Sequence, residues 1–315
     1  QQSGVSNVWQ RYQQAITDEA SLVIGPLDKK SVQVLADSDE LNIPVLALNR
    51  LAEHEQKDNL FQFGLAPEDD AVAAANYATQ QSFQRAVVIS PTGNWGNRIA
   101  SAFNQQWLAN GGILLNHTKY DAKQHDFSES IKPLLGLSTS SQRYHALKQT
   151  LASKLEFEPR RRQDIDLIFV VAKPLKARQI LPQLKFHRSG SLAVIATSQA
   201  YGGKENSQQD IDLNGLFIND IPWMFSETAI QDPIYASLQA NPPEHFDRSI
   251  RLHALGADAY QLIPQLNSLS RSSDLRFQGA TGELSISESG QIHRETQWGQ
   301  FHDGILTALP TIVEQ

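Results

Sequence analysis

ASLVIGPLDKKSVQVLADSDELNIPVLALN, residues 20–49, decides the fold. An apolar run, Leu22-Val23-Ile24, stops at Gly25-Pro26, and apolar residues then recur at Val32, Leu35 and Ala36. Asn42-Ile43-Pro44 punctuates the chain before a second apolar run, Val45-Leu46-Ala47-Leu48. Short apolar runs bounded by turn residues, with helical spacing between them, predict strand, helix, strand, the repeating unit of a parallel sheet covered by helices.

The rhythm continues outward. Residues 60–64 read as a strand, and Pro67-Glu68-Asp69-Asp70 opens a helix, since an early proline and first-turn acids favour a helix start. Residues 86–89 are continuously apolar, as a strand covered on both faces should be. A helix over 95–110 closes at Gly111-Gly112, a strand starts at Ile113, and a short helix follows Asp126-Phe127-Ser128 with Asp126 or Ser128 as its cap. Residues 137–163 are polar, with helical spacing over 144–155, and read as an insertion outside the main sheet. Strand 166–171, helix 175–186, strand 192–196 and strand 216–218 restore the alternation. The last third differs: a long helix over 250–269, with Leu252, Leu255, Ala259 and Leu262 on one face, precedes a hairpin pairing 282–286 with 291–298. Gly290 supplies the positive φ that the hairpin turn needs.

Composition narrows the function classes. A chain of 315 residues fits two α/β lobes. No apolar run approaches the roughly 18 residues of a membrane-spanning helix. The net charge of −7 argues against nucleic acid as partner, and the run Arg160-Arg161-Arg162 is flanked by acids and reads as a solvated loop. The absence of cysteine removes disulfides, thiolate metal sites and cysteine nucleophiles. The nine histidines lack metal-ligand spacing, and no nucleophile elbow or phosphate loop occurs, so no catalytic residue, metal or cofactor is expected. The opening QQSGVSN has neither basic nor apolar leader character, which suggests a processed or excised fragment.

Three features carry a resemblance: the opening IGPL and NIPV unit, the loop Gly93-Asn94-Trp95-Gly96-Asn97-Arg98 between strand and helix, and the helix with Ala257-Asp258-Ala259-Tyr260 ahead of a hairpin. Together they resemble the two-lobed type I periplasmic binding protein fold, each lobe a mostly parallel sheet flanked by helices. The ordered strings ASLVIGPL, VLALN, LAPEDDA, ALGADAY and GATGELS narrow this to the C-terminal domain of the LpoA family, outer-membrane lipoproteins that activate penicillin-binding proteins. The resemblance implies a periplasmic, non-catalytic activator of a bifunctional (class A) penicillin-binding protein, stimulating peptidoglycan synthesis by protein contact. It also implies outer-membrane tethering through an N-terminal lipid on a part outside this chain. It places lobe one at 1–83 and 227–277 and lobe two at 84–226 and 278–315. The insertion at 137–163, polar, long and outside the core, is a candidate partner surface. One departure is expected. The family opens with strand, helix, strand, whereas here a helix over 8–15 runs directly into Leu22-Val23-Ile24, so the first such unit of lobe one is missing.

In open α/β sheets ligands sit beyond the carboxyl ends of the strands. The residues placed there, lining an expected interlobe cleft, are Asp28, Asn49, Arg50, Thr92, Asn94, Trp95, Ser198 and Trp223. A solute-binding protein or ligand sensor, holding a small polar ligand on these residues, is the alternative to the activator. Asp28 and the N–H-less Pro26 disfavour a carboxylate ligand, and Asp28 can instead cap its helix. Thr92 and Asn94 can likewise cap, while Trp95 and Trp223 read more naturally as packed aromatics.

Overall fold

The opening segment folds as its punctuation requires. In the computed structural model, which describes residues 7–51, 56–151, 156–272 and 274–310, α1 (Val8–Thr17) leads into β1 (Val23–Ile24), α2 (Lys29–Ala36), β2 (Val45–Ala47) and β3 (Leu60–Gln62). The three strands are parallel, with β1 at the edge. Among the described residues no strand precedes β1. Amphipathic spacing turns Val32 and Leu35 of α2 onto Val45 and Ala47 of β2, in a cluster with Tyr12 of α1. Burying each such aliphatic side chain stabilises by roughly 2 kcal/mol. The Tyr12 hydroxyl donates to the Ile43 carbonyl at 3.1 Å and accepts its amide at 2.9 Å, so helix and strand entry are fixed together.

The chain then runs through α3 (Pro67–Gln80), β4 (Arg85–Pro91), α4 (Asn94–Ala109), β5 (Ile113–Tyr120), α5 (Ser128–Leu134), α6 (Leu137–Leu151), β6 (Leu167–Val170), α7 (Pro174–Leu184), β7 (Ala193–Ala196) and β8 (Leu216–Asp220). These five strands are parallel in the order β5-β4-β6-β7-β8. Helix crossovers cover both faces, which is why β4 and β6 read as unbroken apolar runs. The core stacks Phe103 on Phe169, ring centroids 4.0 Å apart, with Trp107 beside them.

A long helix, Phe246–Gln261, precedes β9 (Phe277–Gly279), β10 (Gly282–Ile286) and β11 (Ile292–Glu295), an antiparallel three-stranded sheet. The chain ends in β12 (Gln297–His302) and β13 (Ile305–Ala308), with β12 antiparallel to β8, completing a seven-stranded sheet. The contacts divide the chain into two compact units, Gln1–Ala66 with Ile221–Thr296 (unit 1) and Pro67–Asp220 with Gln297–Gln315 (unit 2).

Several sequence expectations need correction. The single strand over 291–298 is two strands broken at Thr296, where the chain passes from one unit to the other. The hairpin β10–β11 lies in unit 1, because Leu284, Ile286 and Ile292 bury against Leu255, Ala259 and Leu262. Residues 67–83, expected in lobe one, lie in unit 2, where Ala71, Ala74, Ala75 and Tyr77 of α3 pack in the cluster of Phe103 and Trp107. Residues 221–226, expected in lobe two, lie in unit 1, with Ile221 and Trp223 in the cluster of Phe246 and Ile250. The helix over 250–269 ends at Gln261, with a separate turn at Leu266–Leu269. Leu252 is 58% exposed: it shares the angular position of Ala259 but lies two turns earlier, beyond the cluster that begins at Leu255. In α5 the N-cap is Phe127, and Asp126 accepts the Ser128 amide at 2.9 Å. The helix over 144–155 forms the second half of α6; residues 152–155 fall outside the described residues.

Candidate functional site

In unit 1, β1 and β2 deliver Asp28, Asn49 and Arg50 to the loops at their carboxyl ends. Asp28 is the N-cap of α2, accepting the Ser31 amide at 2.9 Å and its hydroxyl at 3.0 Å. These donors hold its carboxyl below the usual carboxylate range. Asn49 joins the two loops, donating from Nδ2 to the Leu27 carbonyl at 2.7 Å and accepting the Arg50 amide at 2.9 Å. A pocket of about 570 Å³ opens between α1, the edge strand β1 and the start of α2, lined by Arg11, Tyr12, Ile24, Pro26, Leu27 and Asp28. Its walls are largely apolar, and its acid already serves the helix. A carboxylate solute would meet Asp28 rather than free amides.

Trp223 belongs to unit 1 and is 2% exposed, packed among Phe246, Ile250 and Ala254. Its indole N–H donates to Asp232 at 2.8 Å, while Asp232 also caps the amides of Ile234 and Tyr235. This tryptophan is a core anchor. Trp223→Phe should cost about 1–2 kcal/mol, from the lost hydrogen bond and reduced packing, read as a shift in the denaturant midpoint. An unchanged midpoint would contradict the anchoring role.

In unit 2, β4 delivers Thr92, Asn94 and Trp95, and β7 delivers Ser198. Gly93, at φ +104°, is the residue before α4, and no side chain caps that helix end. The Thr92 amide donates to the Tyr120 carbonyl at 2.9 Å. Trp95 lies under the Lys173 ammonium, 5.7 Å from the ring centroid, a cation–π arrangement. Ser198 donates to the buried Asp70 carboxylate at 2.5 Å, tying the end of β7 to α3.

Sequence reasoning misses two pairs here. In the sequence Asp70 is only a first-turn acid, and its bond to Ser198 spans 128 positions, which no local pattern signals. Ser90 and His117 form the other, Oγ to Nε2 2.8 Å, across β4 and β5. A serine beside an imidazole is the start of a nucleophile–base pair. Ser90 has no exposed surface, however, so no substrate reaches its hydroxyl. Burial, aided by Lys119, pushes His117 below its ordinary range, so the ring is neutral at pH 7. The pair is a buried hydrogen bond between strands.

Residues 3–304 match the family described as "LppC putative lipoprotein". The penicillin-binding protein activator LpoA of Aliivibrio fischeri is 27% identical over 284 residues, covering 89% of this chain and 46% of that protein. The chain thus spans about half the length of the curated relatives it matches. The solved LpoA C-domain from Haemophilus influenzae, a regulator of PBP1A, aligns with TM-score 0.73 at 24% identity over 96% of this chain and 86% of that one. The leucine binding protein LivK from Thermotoga maritima aligns with TM-score 0.54 at 15% identity over 98% of this chain and 84% of that one, a likeness of fold alone. The fold is that of the type I periplasmic binding proteins, with mostly parallel sheets flanked by helices. With the family match extending over nearly all of its length, the chain belongs to the LppC lipoprotein family.

Proposed function

We propose that this chain is the regulatory domain of a penicillin-binding protein activator. It stimulates peptidoglycan synthesis by contact with a class A penicillin-binding protein and performs no chemistry itself. The observation that carries this reading is the likeness to named activators across nine-tenths of the chain. The site geometry agrees: Asp28, Asn49, Ser198 and Trp223 are engaged in capping, loop closure and packing. Activation needs only a surface that binds the active conformation of the synthase better than the inactive one. The activator works from the periplasmic side of the outer membrane, held there by a lipid on a part of the protein outside this chain. Membership of a lipoprotein family supports that placement, and among the described residues no helix is long and apolar enough to cross a membrane. The cognate synthase should bind the chain in solution and polymerise glycan faster in its presence. Absence of both effects would refute the reading.

A further inference from the structure

The chain is acidic overall, yet residues 137–204 hold twelve of its 27 lysines and arginines against four carboxylates. Helix α7 crosses this basic stretch. It buries Ala177, Ile180, Leu181 and Leu184 against unit 2. Leu175 and Phe186 fall outside that face, 60% and 81% exposed. Eleven residues, about three helical turns, separate them, so they point to similar sides of the helix. Phe186 sits in the turn Lys185–Ser189 that follows α7, where His187 and Arg188 leave helical geometry and Arg188 takes a left-handed φ of +72°. A non-glycine residue at positive φ is strained, and such positions cluster at functional sites.

The end of α7 is tied to the insertion. Arg188 pairs with Glu158, and Arg161 donates to the Ser191 hydroxyl at 3.0 Å. Beside Glu158, Phe157 stacks on Tyr144 with ring centroids 4.2 Å apart. Lys185 and Arg161 are held by neutral oxygens, the Asn214 carbonyl at 2.6 Å and those of Arg162 and Ser191, so their charges are not cancelled locally. Exposed aromatics ringed by arginine and lysine have the anatomy of a protein–protein contact, where aromatic and arginine side chains dominate binding. An anionic polymer would need the cations but not the phenylalanine.

We propose that Phe186, flanked by Lys185, Arg188 and Arg161 and continued by the Tyr144–Phe157 stack, is the docking surface for a protein partner with an apolar socket rimmed by carboxylates. This rests on the activator reading, and the partner is the class A penicillin-binding protein. The test is the affinity of the full-length protein for that synthase, measured by surface plasmon resonance at low and high salt. Three variants are compared: Phe186→Ser, the double reversal Lys185→Glu with Arg161→Glu, and a control, Lys29→Glu with Lys30→Glu on α2. Phe186→Ser and the double reversal should each weaken binding about tenfold or more. The loss in the double reversal should shrink at high salt, because exposed charges are screened. The control should bind like the wild type. Phe186 is so exposed that its replacement leaves the core intact, and matching thermal melts check this. Wild-type binding that both test variants retain overturns the docking surface while leaving the activator reading standing. A loss seen only for anionic vesicles or isolated sacculi overturns it in favour of a lipid or wall polymer. Failure of the wild type to bind the synthase refutes the activator reading, and the docking surface with it.

Discussion

Replacing Asp258 with alanine is expected to destabilise unit 1 by about 3–5 kcal/mol. The carboxylate has no exposed surface. It accepts the Ala280 amide at 2.6 Å, the Thr281 amide at 2.8 Å and the Thr281 hydroxyl at 2.5 Å, fastening the turn between β9 and β10 to the long helix. Alanine would leave those donors buried without an acceptor, at about 1–3 kcal/mol each. The backbone has been fitted around the acid: a Cβ on Gly279 would stand 2.7 Å from its oxygens. Burial pushes the Asp258 carboxyl above its ordinary range, and the three donors offset part of that rise. A folded-state value above the unfolded one favours the fold most at low pH, and that contribution fades as pH rises from about 4 through the raised value. The difference between wild type and Asp258→Ala should therefore be largest in acid and smaller at neutral pH. Denaturant unfolding across that range measures it. A loss below about 1 kcal/mol, or one that grows with pH, would contradict this role for the acid.

Gly290→Ala is the second large effect, expected at about 3 kcal/mol. Gly290 has φ +77°, and a Cβ there would lie 2.4 Å from the Leu60 carbonyl oxygen. The same glycine accepts the Gln62 amide at 2.9 Å, and Gln62 in turn accepts the Leu51 amide at 2.8 Å through its buried side chain. Alanine must both adopt a left-handed conformation and push the hairpin from β3, breaking this chain of bonds. Gly111, at φ +84°, is the natural comparison, because a methyl group added there would meet nothing within 4 Å. Gly111→Ala should cost only the conformational share, about 1 kcal/mol. Equal losses at the two positions would show that the close approach to Leu60 contributes nothing.

The two glycines show what the sequence makes legible. Gly290 is readable because a four-residue polar turn between alternating segments calls for one residue at positive φ. Its approach to β3 is not, since Leu60 lies 230 positions away and only the folded chain brings them together. The β1–α2–β2 unit is legible down to the Asp28 cap, because local spacing and turn chemistry fix it. The β11–β12 break is not: residues 291–298 keep a strand-like character through Thr296, and only long-range contacts show that the two halves serve different sheets. Strand β13 has too short an alternation to stand out, and it is held by pairing with β12. Asp258 is visible as one acid among alanines on a helix, yet its partners come from a loop more than twenty residues on. Among the other candidate site residues, the sequence places Thr92, Asn94 and Ser198 at strand ends but does not show which are already bonded. Phe186 escapes notice because it follows directly on a helix most of whose apolar residues, Ala177, Ile180, Leu181 and Leu184, are core.

The central claim is that this chain raises the activity of a class A penicillin-binding protein. Its most direct test is the rate at which the purified cognate synthase polymerises lipid II into glycan strands, with and without the chain, at saturating substrate. The expected result is a saturable rise in rate with chain concentration, half-maximal near the dissociation constant measured for the pair, and no polymerisation by the chain alone. A synthase that binds the chain yet runs at the same rate across the titration would contradict the claim.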